Sequence, residues 1–250
     1  MKTLTSAAFW RNELFGGWTK FESALILGLV AAQIVVFAFF TSSDDLSGIG
    51  VLVGITGILC VTFAAKGKLL TYFFGLIQVV GYLYISFQSA LYGEVMLNVF
   101  YLVMQFVGAW IWFGHLTKQK TSASASAVEL VTAKSLSANQ WTMLAIAIPV
   151  IWLGFGAFLN SFGSAQPYLD SIAVSLSVLA QVLMSWRYKE QWMLWIIVNL
   201  FYITLWVRAD QLPMVVMYCG FLINSIYGFI NWNRLAKADQ QEDPVLAEQA

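Results

Sequence analysis

QWMLWIIVNLFYITLWV, residues 191–207, holds no charged side chain, yet it places Trp192, Trp195, Asn199 and Tyr202 at steps of three, four and three. On an α-helix those steps keep all four side chains on one face, stacked over about three turns. The run is close to the roughly 17 to 25 residues a helix needs to cross hydrocarbon. It reads as a membrane span whose polar face meets something other than lipid.

Working outward, the same absence of charge recurs in Ser23–Ser43, Leu46–Ala65, Leu69–Gly93, Val95–Leu116, Ser135–Leu169, Ser171–Trp186 and Gln211–Asn233. The whole chain is 60% hydrophobic and 10% charged, with a mean hydropathy of +0.74, far from the soluble average. Backbone groups in lipid must be satisfied internally, so the expectation is an all-α membrane protein of eight transmembrane helices. The first run is too long for a signal-peptide core and lacks a small-residue cleavage site, so it is expected to be retained. A net charge of zero offers no basic face for nucleic acid. Cys60 and Cys219 have no second Cys or His at ligand spacing and read as small apolar fillers, with no metal site expected.

The loops set the orientation. Lys2, Arg11 and Lys20 precede the first run, and Lys66 with Lys68, Lys118 with Lys120 and Lys134, Arg187 with Lys189, and Arg234 with Lys237 fill every second connection. The intervening loops carry Asp44 and Asp45, Glu94, no charge between Asn160 and Pro167, and Arg208 with Asp210. The positive-inside rule places both termini in the cytoplasm. The expected organisation is an interfacial segment (1–20), an added N-terminal span (21–43), a three-helix bundle (48–116), a flexible cytoplasmic linker (117–140), a joining span (141–162), a second three-helix bundle (168–233) and a polar, disordered cytoplasmic tail (234–250).

The two bundles repeat. GYLYISFQ (81–88) lies under FYITLWVR (201–208), and GAWIW (108–112) lies under GFINW (228–232), at nearly constant offset. Both triplets run outside to inside by the charge count, so the repeats are parallel and need a single joining helix. Such a 3+1+3 core is a transporter architecture, with the substrate path expected near the midplane between the repeats.

Polar side chains mark candidate binding residues: Trp192, Trp195, Asn199 and Tyr202 on the seventh span, Asn224 and Tyr227 on the eighth, Gln78 and Tyr82 on the third, and Asn98, Tyr101 and Gln105 on the fourth. Gln181 is a further candidate on the sixth. The plainer account is interhelical hydrogen bonding, at an average of about 0.6 kcal/mol each, together with interfacial aromatic belts. Trp195, Asn199 and Tyr202 lie too deep for a belt, whereas Trp192 is nearer the end. Amides with aromatic faces suit a flat ring with polar edges or sugar hydroxyls, and indole faces attract a dehydrated cation. An anion is disfavoured, because no Lys or Arg lies inside a run.

Asp, Glu, Lys, Arg and His are missing from the middle of every run, whereas proton relays use buried ionisable groups. His115 reads as interfacial. Facilitated diffusion is the simplest expectation, with backbone-coordinated Na⁺ left open. An intramembrane enzyme would need a nucleophile with a base, paired carboxylates or metal ligands at one depth, and the residues supply almost none.

WIIVNLFY, 195–202, fits the W-x-x-x-N-x-x-Y signature of the PnuC nicotinamide riboside transporters, and NSIY, 224–227, is similar to a second N-x-x-Y element. With the eight-span plan, the chain resembles that family over roughly residues 20 to 234. The resemblance implies a fold similar to SWEET sugar transporters, no cofactor, and uptake of nicotinamide riboside, a vitamin B3 form, through the bacterial inner membrane. It implies facilitated transport trapped by a cytoplasmic riboside kinase, and a homo-oligomer, of which a trimer is one form. On that resemblance Trp195 contacts the ring, Asn199 and Tyr202 bond the amide or ribose, and Gln105, Asn98, Tyr101, Asn224 and Tyr227 line the other walls. Thiamine and riboflavin carriers of the wider group are the alternative substrate classes, and a receptor without transport is the alternative function. Gly48, Gly50, Gly54 and Gly57 allow close packing or a hinge, and Pro149 breaks one helical hydrogen bond.

Overall fold

A computed structural model describes residues 7–40, 46–88, 92–122, 132–163, 167–208 and 212–247. Asp44, Asp45, Asp210, Lys2 and the linker's 123–131 lie outside them. Among the described residues there are nine helices, no named strand, and two compact units, 1–132 and 133–250.

The first unit holds α1 (Ala7–Phe15), α2 (Lys20–Phe40), α3 (Leu46–Lys66), α4 (Leu70–Gln88) and α5 (Tyr92–Ser122). α1 is turned 78° from α2. The turn is fixed by a capping box: the Thr19 amide donates to Glu22 Oε2 (2.7 Å) and the Glu22 amide to Thr19 Oγ1 (3.2 Å). The other oxygen of Glu22 accepts from Lys66 Nζ at 2.7 Å, in a pair buried at the foot of α3. Lys68, in the α3–α4 turn, donates to the carbonyls of Asn12, Glu13 and Gly16, at the end of α1, and its ammonium sits 5.0 Å from the Trp18 ring centroid. Burial pushes the Lys68 amine down to about 8, against the opposing pull of Glu13. The Glu13 carboxylate in turn accepts from the Leu70 amide (3.1 Å), one of the free donors at the start of α4. Neighbouring helices pack in chain order, α2 on α3, α3 on α4 and α4 on α5. Gly54 lies against Gln33, where a Cβ would come within 2.7 Å of the amide, so close packing accounts for this glycine.

The second unit holds α6 (Ala138–Ser161), α7 (Pro167–Ser185), α8 (Gln191–Arg208) and α9 (Leu212–Ala247), again packed in chain order. α6 opens with a capping box between Ser137 and Gln140 and runs through Pro149. It lies along α7, with Gly156 against the Tyr168 ring and Trp152 Nε1 donating to the Tyr168 carbonyl at 2.6 Å. The joining helix of the 3+1+3 reading is thus an integral part of the second unit, as α2 is of the first. Among the described residues each unit has four long helices.

Parts of the segments read as linker and tail lie within the described residues. The linker's far end is tied down: the Lys134 amide donates to the Arg187 carbonyl (2.7 Å), the Lys189 amide to the Lys134 carbonyl (3.0 Å), and the Leu136 amide to Glu190 (3.1 Å). α9 runs on to Ala247, into the segment read as the tail.

Among the described residues five helical segments are long and apolar enough to cross a membrane: Ile49–Lys66, Leu70–Gln88, Glu94–Thr117, Ala138–Ser161 and Val215–Ala236. The bent α1–α2 pair makes six, and Ser171–Ser185 and Gln191–Leu205 are shorter apolar helices. On α5 the exposed side chains Met96, Val99, Val103, Phe106, Trp110 and Phe113 follow helical spacing, while Asn98 and Gln105 are buried. Apolar stripes outside and amides inside reverse the soluble pattern. The chain is a multi-pass membrane protein.

Candidate binding faces within each unit

The α8–α9 interface is layered. At one end Tyr202 stacks on Tyr218, with ring centroids 4.7 Å apart and planes at 19°. A turn along, Asn199 Nδ2 donates to Ser225 Oγ at 3.0 Å, both side chains buried. At the other end Trp192 meets Trp232 edge-on at 6.0 Å, over Gly228, whose missing Cβ would lie 2.6 Å from the Trp192 ring. Trp195 and Tyr202 are half-buried and also border the α6–α7–α8 cluster of Leu144, Leu176, Ala180, Leu183, Leu194 and Val198. Asn224 is fully buried and Tyr227 half-buried on α9.

Four of the sequence candidates therefore share α8, and two share α9, but they divide into roles. Asn199 engages α9 through a hydrogen bond to Ser225 and Tyr202 through a stack on Tyr218. Trp192 is 3% exposed and spends its ring on helix packing. Gln181 is buried on α7, where its backbone carbonyl accepts from Ser185 Oγ.

The first unit carries a related face. Gln105 is buried against Gly75, where a Cβ would come within 2.6 Å of the amide nitrogen. Tyr72 meets Trp112 edge-on at 5.1 Å over Gly108. Asn98 Nδ2 donates to the Glu94 carbonyl of its own helix, Tyr101 is half-buried beside Phe100, and Gln78 and Tyr82 are half-buried on α4. His115 Nε2 lies 2.9 Å from Thr132 Oγ1, joining the end of α5 to the described end of the linker.

The register between units is constant. Tyr72 and Trp192, Gly108 and Gly228, Trp112 and Trp232, Tyr82 and Tyr202, and Gly67 and Arg187 are each 120 apart, as with 72 to 192 and 67 to 187. Gly67 and Arg187 both take a left-handed backbone, at φ 72° and 68°. Against this frame one pair is exchanged: Gly75 and Gln105 in the first unit correspond to Trp195 and Ser225 in the second. Where the large side chain comes from α5 in one unit, it comes from α8 in the other.

Ser225 and Tyr218 were not singled out by sequence. Ser225 sits inside NSIY, and Tyr218 lies seven residues before it, two helical turns on the same face, so the signal was helical spacing. Among the described residues no group of three His, Cys, Asp or Glu gathers as a metal site would require.

The sequence matches the family model described as nicotinamide mononucleotide transporter over residues 47–234. It is 44% identical to the nicotinamide riboside transporter PnuC of Neisseria mucosa, covering 94% of this chain and 89% of that one. It is 36% identical to the nicotinamide riboside transporter PnuC of Haemophilus influenzae, over 94% of this chain and 99% of the relative. A solved structure described as the crystal structure of the vitamin B3 transporter PnuC is similar with a TM-score of 0.79 and 42% identity, covering 93% of this chain and 99% of the other.

Proposed function

Because the chain belongs to the PnuC family, within the nicotinamide mononucleotide transporters, we propose that it carries nicotinamide riboside into the cell by facilitated diffusion with alternating access. The observation that carries this reading is the buried amide of Asn199, held to Ser225 between the Tyr202–Tyr218 stack and the Trp192–Trp232 pack. A riboside whose ring is cationic and whose edges are amide and hydroxyl matches neutral hydrogen-bonding groups among aromatic faces. A mononucleotide adds a phosphate, which calls for Arg, Lys or a helix N-terminus, and no Lys or Arg lies mid-span. The riboside is the better fit of the two family substrates.

On this reading Trp195, Asn199, Tyr202, Asn224 and Tyr227 of the second unit bind substrate. Asn98, Tyr101 and Gln105 of the first contribute as well, with Gln78 and Tyr82 at its margin, and Trp192 shapes the floor through packing. The chain crosses the inner membrane eight times with both termini in the cytoplasm, α1 lying along the cytoplasmic surface. The absence of mid-span acids supports uniport, with net uptake drawn by a kinase that phosphorylates the riboside inside. A homo-oligomer, such as a trimer, completes the proposal.

Titration calorimetry on the purified protein tests it, with nicotinamide riboside as ligand and thiamine and riboflavin as competitors. Riboside binding that Asn199→Ala weakens by at least about tenfold, the loss expected for a buried hydrogen-bonding group, supports the reading. Preference for thiamine or riboflavin reassigns the substrate.

A further inference from the structure

Asn199 is held by a hydroxyl that has no proton to spare. The Ser225 hydroxyl donates to the Phe221 carbonyl four residues back, at 2.8 Å, and a carbonyl oxygen can only accept. The single hydrogen of Ser225 is therefore committed along α9, and toward α8 its oxygen presents only lone pairs. The group facing it across 3.0 Å must be a donor, which fixes Nδ2 of Asn199 on the Ser225 side. The reversed amide would leave one hydrogen bond instead of two. In a buried site that difference decides the orientation.

We propose that Ser225 is a positioning residue that locks the Asn199 amide with Oδ1 turned toward the substrate, so that the site selects a ligand offering an N–H donor there. The inference rests on the riboside reading above and deepens it. Ribose hydroxyls donate or accept and would satisfy either orientation of the amide. A carboxamide presents N–H, whereas the corresponding carboxylate only accepts, so the locked acceptor separates nicotinamide riboside from nicotinic acid riboside. The first unit has no such lock, since the corresponding positions hold Val79 and Gln105.

The experiment compares binding of nicotinamide riboside and nicotinic acid riboside to wild type, Ser225→Ala, Ser225→Thr and Ser225→Val. The readout is the ratio of the two affinities, which a loss of stability alone would leave unchanged. Thr and Val differ only in hydroxyl against methyl, so any crowding is common to both. The expected result is that wild type and Ser225→Thr prefer the carboxamide, and that Ser225→Ala and Ser225→Val lose about fivefold of that preference, the worth of one hydrogen bond. An unchanged ratio in both Ala and Val variants overturns the role of Ser225 and leaves the riboside reading standing. A wild type that binds neither riboside overturns the riboside reading, and this inference with it.

Discussion

Gly108 and Gly228 each face an aromatic ring across a gap with no room for a methyl group, 2.5 Å to Tyr72 and 2.6 Å to Trp192 for an added Cβ. Neither the ring nor its edge-on partner, Trp112 or Trp232, has free space to retreat, since both tryptophans are fully buried. Gly228→Ala is expected to destabilise the protein by about 1 to 3 kcal/mol through overpacking. Gly114→Ala, at a helical glycine with nothing within 4 Å, is expected to be neutral or stabilising by up to about 1 kcal/mol through backbone entropy. Thermal unfolding in detergent, read side by side, checks both signs. Sequence showed these glycines as matched positions in GAWIW and GFINW, but not their partners. Those partners lie on another helix, 36 residues away in each case (72 to 108 and 192 to 228), and helical periodicity gives the face of a residue without naming what sits opposite. The same limit hid Ser225 and Tyr218, while Asn199 and Tyr202 were legible because a polar side chain in an uncharged span is conspicuous alone.

At the scale of elements, each unit straps its lead-in segment across the turn between its second and third long helices. In the first unit the strap is the end of α1 on Lys68 and Glu13 on Leu70; in the second it is Lys134 on Arg187 and Leu136 on Glu190. The first strap carries a pH dependence with a definite sign. Because the folded amine of Lys68 is lowered to about 8 against an ordinary 10.5, between those values the unfolded chain holds a proton that the folded one has released. Unfolding then takes up a proton, so the Lys68 contribution to stability rises with pH across that window and is flat below it. The melting temperature of wild type minus that of Lys68→Met is expected to grow from pH 8 toward 10.5; a constant difference would mean that the three carbonyls hold the ammonium without penalty. Charge counting had read Lys66 and Lys68 as topology signals. Their partners Glu22, Asn12 and Gly16 were out of reach, since those contacts span about 50 residues of chain.

At the scale of the whole molecule, hydropathy and loop charge were enough to read an all-helical, multi-pass chain, and WIIVNLFY with NSIY were enough to find its family, which the similarity to known PnuC proteins bears out. The division of labour between helices was not legible. α2 and α6 read from sequence as an appendage and a connector, yet each packs into its own unit, with Gln33 of α2 against Gly54 and Gly156 of α6 against Tyr168. The proposed topology makes a further prediction: single cysteines at Lys120 and Ala250 in a Cys60→Ser, Cys219→Ser background should react with a membrane-impermeant thiol reagent only from the cytoplasmic side, and one at Ser164 only from the other. The constant register of 120 also lets one spacing serve two interiors: between Gly67–Trp112 and Arg187–Trp232 there is no net insertion, yet the large side chain that fills the helix pair comes from α5 as Gln105 in one unit and from α8 as Trp195 in the other. A variant holding Trp and Gln together at such a pair would be overfilled, whereas one holding Gly and Ser would leave a small polar void that water can fill.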